Sequence, residues 1–187
     1  DKTGLLGTRP TQGTFALHGA EIVAAGDPFR SVLYYRVSKL GRGRMPHFGS
    51  HVVDESGVRL LREWIESLPP APADGQAGST SLRDRQRQAV ADLAGARLDA
   101  RERGRLIEEL LSSTSGALLL LAAVDDGAVS EPCRSEVIQA GAAHADVQIR
   151  DLFERFVPEE RRVQRLGTVV QADEILALTG EVERGKS

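Results

Sequence analysis

Apolar residues recur at helical spacing through most of this chain of 187 residues. Val58, Leu60, Leu61, Trp64, Ile65 and Leu68 predict one helix with a single apolar stripe, capped by Asp54 or Ser56 and stopped by Pro69 and Pro70. Upstream, Asp27 and Pro28 have the cap-then-proline pattern of a helix start. Val32, Leu33, Tyr35, Val37 and Leu40 then predict a short helix over 31–40. The glycines and Pro46 between Gly41 and Gly49 predict a loop. Residues 1–25 alternate Gly, Thr and Pro with short apolar stretches and read as loop-rich, with a brief strand or extended segment over 21–25.

Residues 69–81 are rich in Pro, Ala, Gly and Ser, the composition of a flexible linker and a natural boundary. Beyond it the pattern is helical: 82–96, strongly charged; 101–111, with Leu106, Ile107, Leu110 and Leu111 as the apolar set; 116–124, apolar on all sides and so expected to be buried; 131–143, with Val137 and Ile138 inward; and 146–156, with Val147, Ile149, Leu152, Phe153 and Phe156. Short loops between helices of this length predict antiparallel pairs. The segment DVQIRDLFERF resembles the second helix of a HEAT-type repeat, with an N-cap Asp and an apolar-Arg pair.

Composition narrows the function classes. The net charge of −3, with arginines interleaved among Asp and Glu, gives no basic block for nucleic acid or an anionic membrane. The longest apolar run, Ala117 to Val124, covers about two helical turns, too short for a membrane span. Cys133 is the only cysteine, which excludes an internal disulfide, a CxxC redox pair, a cysteine-rich zinc site and covalent haem attachment through CxxCH. It reads as a buried structural thiol. No signal peptide, nucleophile elbow, phosphate loop, dinucleotide fingerprint or HExxH is present, so no catalytic constellation lies in this chain. His18 and His144 have no partner pattern, and Asp125-Asp126 and Glu108-Glu109 read as solvated helix ends.

Met45, in the sequence Arg44-Met45-Pro46, is the most informative residue. A thioether in a Gly/Pro loop can be held at a fixed point, and Met is the usual sixth ligand of haem iron in c-type cytochromes. Met also often fills a gap between loop and helix, which is the commoner role for a methionine taken alone. His47 and His51 are four residues apart, but Gly49 and the loop prevent a helical metal pair. They read as solvated loop histidines; one of them, or Arg42 or Arg44, could instead bind a haem propionate.

The run GDPxxSxLYxR, GRGRMPxxG and VVDExGxxLLxxWI, from Gly26 to Ile65, resembles the C-terminal half of the haem-binding domains of planctomycete-type cytochrome c proteins. The resemblance rests on Gly26, Asp27, Pro28, Ser31, Leu33, Arg36, Arg44, Met45, Pro46, Gly49, Asp54, Trp64 and Ile65. It implies an Asp-Pro-capped helix leading to a Met-Pro loop, with Met45 as axial ligand, and a last helix packing back on the haem domain. A second stretch, from about Gly116 to the end, resembles the segment before the last cytochrome c domain of large haem-binding proteins of the membrane-bound dehydrogenase type. The match there includes Ala177, Leu178, Gly180, Glu183, Arg184 and Gly185. The departure is the CxxCH expected upstream of Met45, which this chain lacks.

The expected fold is therefore mainly α, a partial cytochrome c-like subdomain followed by a HEAT-like helical bundle. Residues 1–68 form the C-terminal part of the cytochrome c-like domain, 69–81 the linker, 82–167 the HEAT-like region and 168–187 the lead-in to a further, truncated cytochrome c domain. The first part is short for an independent core and is expected either to lean on the helices or to be poorly ordered. Both ends read as cut from a longer protein. The resemblance implies electron transfer in a periplasmic or cell-envelope parent. Haem c would be its cofactor, with Met45, Arg44, Pro46 and His47 at the haem and a redox protein or neighbouring cytochrome domain as partner. The alternative is a haem-free helical scaffold that presents a groove to a protein partner.

Overall fold

Side chains that cap helix N-termini set most element boundaries in this computed structural model, which describes residues 4–47, 52–70, 77–95 and 98–162. The seven α-helices among them are α1 (Val32–Ser38), α2 (Glu55–Ser67), α3 (Ala77–Gly95), α4 (Ala100–Leu111), α5 (Thr114–Asp125), α6 (Glu131–Ala142) and α7 (Val147–Phe153). Asp54 accepts from Gly57 N, Ser113 from Gly116 N and Asp146 from Gln148 N. Asp99 and Glu102 form a reciprocal capping box on α4. Asp27 caps a 3-10 turn over Pro28–Arg30. Ser31 separates that turn from α1, because its extended backbone lets its hydroxyl donate to Asp27 O and accept from Ala24 N. No strand occurs among the described residues; Leu6 and Val23, and Glu21 and Ser31, make isolated bridges. The fold is mainly α, as the periodicity implied.

The helices stack in rows. α4 packs on α5 and α6 on α7, while α4 also lies against α6 and α5 against α7. Every residue from Gly116 to Val124 is buried, in keeping with the all-round apolar run. The N-terminal part is laid on the α5/α7 row. The Pro28–Arg30 turn touches α5, Tyr35 Oη donates to Gln148 O at 3.0 Å, and Leu40 N donates to Asp151 O at 3.0 Å. One continuous core joins Val23, Tyr34, Tyr35 and Ile65 to Leu110, Leu118, Leu152 and Phe153. Residues 4–68 thus lean on the helical region. α3 closes the side, touching α4 and α5, and Arg83 from it reaches the buried Asp27 carboxylate at 2.9 Å.

Several expectations change in detail. The α2 stripe is narrower than predicted: Val58 and Ile65 are buried, but Leu60 is 68% and Trp64 44% exposed. Two residues along a helix turn the side chain through about 200°, which carries Leu60 away from the face of Val58. α3 starts at Ala77, inside the stretch expected as linker, while residues 71–76 lie outside those described. The helix expected over 146–156 divides into α7 and a 3-10 turn over Glu154–Phe156, with Val147 exposed at its first position. The expected lead-in over 168–187 lies outside the described residues. Among the described residues no helix is long and apolar enough to cross a membrane.

Candidate functional site

The loop that carries Met45 hangs on two basic side chains of the α1 end. Arg36 Nε donates to Gly43 O at 2.7 Å, and Arg36 O accepts from Met45 N at 2.9 Å. Arg36 Nη2 lies 3.2 Å from His47 Nε2; guanidinium has only donors, so this nitrogen of His47 is the acceptor. Lys39 Nζ donates to Arg42 O at 3.0 Å. Gly41 and Gly43 turn the chain at φ +78° and +81°, values that favour glycine. A Cβ at Gly43 would also press on the Phe15 ring, 3.1 Å from Cε1. The Met45–Pro46 peptide is cis.

The four candidate residues therefore sit together on one held loop. Arg44 and Met45 are half-buried, while Pro46 and His47 are exposed. Arg44 Nη2 donates to Val52 O at 3.3 Å, and burial lowers the pKa of its guanidinium. His51, the other loop histidine, lies outside the described residues. Among the described residues no group of three or more His, Cys, Asp or Glu is placed to hold a metal ion, so Met45 stands as a single soft donor.

Beneath the loop lies a polar pair that sequence reasoning missed. Lys39 Nζ is 2.9 Å from Asp151 Oδ2, with side chains only 3% and 2% exposed. The ammonium also lies 5.0 Å from the Tyr35 ring centroid and 5.9 Å from that of Phe15, and those two rings are 5.0 Å apart. Burial, followed by Asp151 and Asp146, raises the Tyr35 pKa well above the usual phenol value. One signal for Lys39 was present: the chain has three lysines against 21 arginines. A compact ammonium fits an enclosed aromatic pocket that a planar guanidinium fills differently. Asp151 gave no such signal, since an acidic residue within an apolar helix pattern usually faces water.

The remaining candidates fall elsewhere. Cys133 is fully buried in α6, and burial raises its thiol pKa. Asp125 and Asp126 are exposed at the end of α5, as expected, and each is paired there: Asp125 with Arg155, and Asp126 with Arg62 at 2.7 Å. Carboxylates at a helix C-terminus oppose the helix dipole, and the two arginines offset that. Glu108 and Glu109 are exposed, as expected. His144 Nδ1 accepts from Asp146 N at 3.1 Å. His18 lines a small pocket of about 20 Å³ with Asp27, Arg30, Arg83 and Gln86.

No protein-family model, no curated protein and no solved structure matches this chain.

Proposed function

We propose that the chain serves electron transfer as part of a c-type cytochrome-containing protein, with Met45 as the axial ligand on one face of the haem iron. The observation that carries this reading is the held loop. Arg36 fixes Met45 through its own carbonyl and fixes the preceding turn through Gly43, while Lys39 holds Arg42. A ligand loop needs this kind of support, because a thioether binds iron well only when its position is set in advance. Haem, when bound, supplies a one-electron iron couple whose potential rises with a Met ligand.

The residues around Met45 suit the periphery of a haem. Arg44 and His47 are cationic or polar partners for propionate carboxylates, and Pro46 fixes the chain beyond the ligand. The proximal histidine and the two thiols of CxxCH come from outside this chain, since its one cysteine is Cys133, enclosed in α6. A redox protein or a neighbouring cytochrome domain would be the electron partner, in the periplasm or cell envelope.

The test supplies the missing half in trans: a c-type haem peptide, in which a CxxCH segment carries its haem and proximal His. Titrated with the chain, its Soret band should shift, and Met45→Ala should abolish the shift. No shift, or a shift that survives Met45→Ala, sinks the reading.

A second reading is a haem-free scaffold, which the shared core favours. The pairing of α4 with α5 and α6 with α7, stacked row on row, supports a HEAT-like arrangement. The N-terminal part already covers the α5/α7 row, so a partner would meet the charged outer faces of α4 and α6. Pull-down with Arg105 and Glu109 reversed in charge, two exposed residues of α4, would lose the partner on this reading and keep it on the first.

A further inference from the structure

Lys39 touches both the Met45 loop and the helical layer. Its ammonium has three hydrogens and meets Asp151 of α7, the Arg42 carbonyl of the loop, and the Tyr35 and Phe15 rings. Phe15 in turn lies against Gly43, so the aromatic side of the same enclosure also borders the loop. Leu40, next in the chain, gives its N–H to the Asp151 carbonyl. Asp151 thus grips the end of α1 twice, once through its side chain and once through its backbone.

A buried ammonium is stable only while paired and hydrogen-bonded. If α7 moves, Lys39 must follow Asp151 or lose it, and following Asp151 pulls on the Arg42 carbonyl. Arg42 lies three residues before Met45 in a turn closed by the Arg44 N to Gly41 O bond at 3.3 Å. We infer that Lys39 and Asp151 are positioning residues for Met45, the device by which the α5/α7 row sets the location of the ligand loop. This deepens the electron-transfer reading and rests on it for the loop's purpose, although the geometry involves no haem. A partner that shifts α7 would then act on the Met45 site through this pair.

Met45 is the only methionine, so selective labelling of its methyl carbon gives one NMR resonance. In the haem-free chain, Asp151→Asn keeps the shape of the side chain and removes its charge, and the Met45 resonance should move or split. Because that variant leaves a buried ammonium unpaired and risks unfolding, Lys39→Leu combined with Asp151→Leu is the deciding one, and it keeps Met45 as the only methionine. Apolar replacement of a whole buried ion pair is often tolerated, and here it also removes the bond to Arg42. The Met45 resonance should move by more than its linewidth in the double variant while the helical circular dichroism is kept. Arg103→Gln, which breaks a different bridge between α4 and α6, should leave it in place.

A purely structural pair would lower the melting temperature without moving the resonance of the folded protein, and that result in the double variant overturns the inference. The haem-peptide titration with Met45→Ala is independent of this outcome. Loss of the coupling leaves Met45 ligation standing, and loss of ligation leaves the coupling standing.

Discussion

Gly141 of α6 lies directly beneath the ring of Phe153 of α7, so close that a Cβ at Gly141 would overlap the ring atoms. Phe153 is fully buried and anchors the second helix pair in the core. Gly141→Ala should therefore destabilise the fold by about 1–3 kcal/mol, the usual cost of overpacking a filled core. Gly104, inside α4, has nothing within 4 Å of its missing Cβ. Gly104→Ala should stabilise by about 0.5–1 kcal/mol, because alanine loses less backbone entropy in a helix. Urea denaturation of the two variants checks both signs; equal effects would mean that α6 and α7 do not meet at Gly141.

Ile65 and Trp64 are neighbours on α2 with opposite fates. Ile65 is fully buried, whereas Trp64 is 44% exposed. Ile65→Ala should cost about 2–5 kcal/mol, as for other large-to-small changes in a core. Trp64→Ala should cost well under that, about 0.5 kcal/mol, as for surface changes. Thermal melts followed by circular dichroism distinguish the two. A larger loss for Trp64 would restore the wider apolar stripe predicted from the sequence.

Two carboxyl groups have their pKa values displaced in opposite directions. The Arg103 guanidinium, hydrogen-bonded to Glu136 at 2.8 and 3.1 Å, holds that carboxyl below its ordinary 4.5. Its contribution to stability is present above pH 4.5 and is lost as pH falls through the lowered value. Burial raises Asp125 above its ordinary 3.8, even with Arg155 beside it acting to lower it. That contribution runs the other way: it is present below pH 3.8 and is lost as pH rises through the raised value. Carboxyl carbon NMR should show Glu136 titrating below 4.5 and Asp125 above 3.8, and Arg103→Gln should return Glu136 towards 4.5. A Glu136 midpoint above 4.5, or an Asp125 midpoint below 3.8, would contradict the placement of that group.

The two tyrosines give an alkaline counterpart. Burial pushes the Tyr34 phenol up to about 12, and Tyr35 is raised as well. An unfolded chain ionises its tyrosines near pH 10, so their contribution is complete below pH 10 and declines as pH rises towards the folded values. Tyrosinate absorbance should stay flat through pH 10 in the folded protein and appear together with unfolding. Since Tyr34 and Tyr35 are the only tyrosines, a midpoint near 10 without unfolding would show that they are exposed.

Local chemistry made much of this fold legible. The caps at Asp27 and Asp54, the stop before Pro69, and the wholly buried run from Gly116 to Val124 follow from side-chain hydrogen bonding, missing donors and unbroken apolarity. The Met45 loop was visible for the same reason, because glycines and a proline exclude a regular element. In α2 the spacing of Val58, Leu61, Ile65 and Leu68 already puts Ile65 on the face of Val58 and Trp64 about 120° round from it; Trp64 joined the predicted stripe only because it is large and apolar. What the sequence hid depends on long-range packing. The Lys39–Asp151 pair joins positions far apart in the chain, and only the docking of α1 on α7 brings them together. Arg62 and Arg155 reach Asp126 and Asp125 in the same way. The two aspartates are exposed at the end of α5, as read, and the sequence hid only their arginine partners.

The central claim is that Met45 is presented as a ligand to haem iron, and its own methyl resonance tests that most directly. With ferrous c-type haem peptide added to the methyl-labelled chain, the single Met45 signal should move far upfield, as a methyl held against a haem face must. A signal that stays at its haem-free position at saturating peptide would show that Met45 does not reach the iron and would contradict the electron-transfer reading.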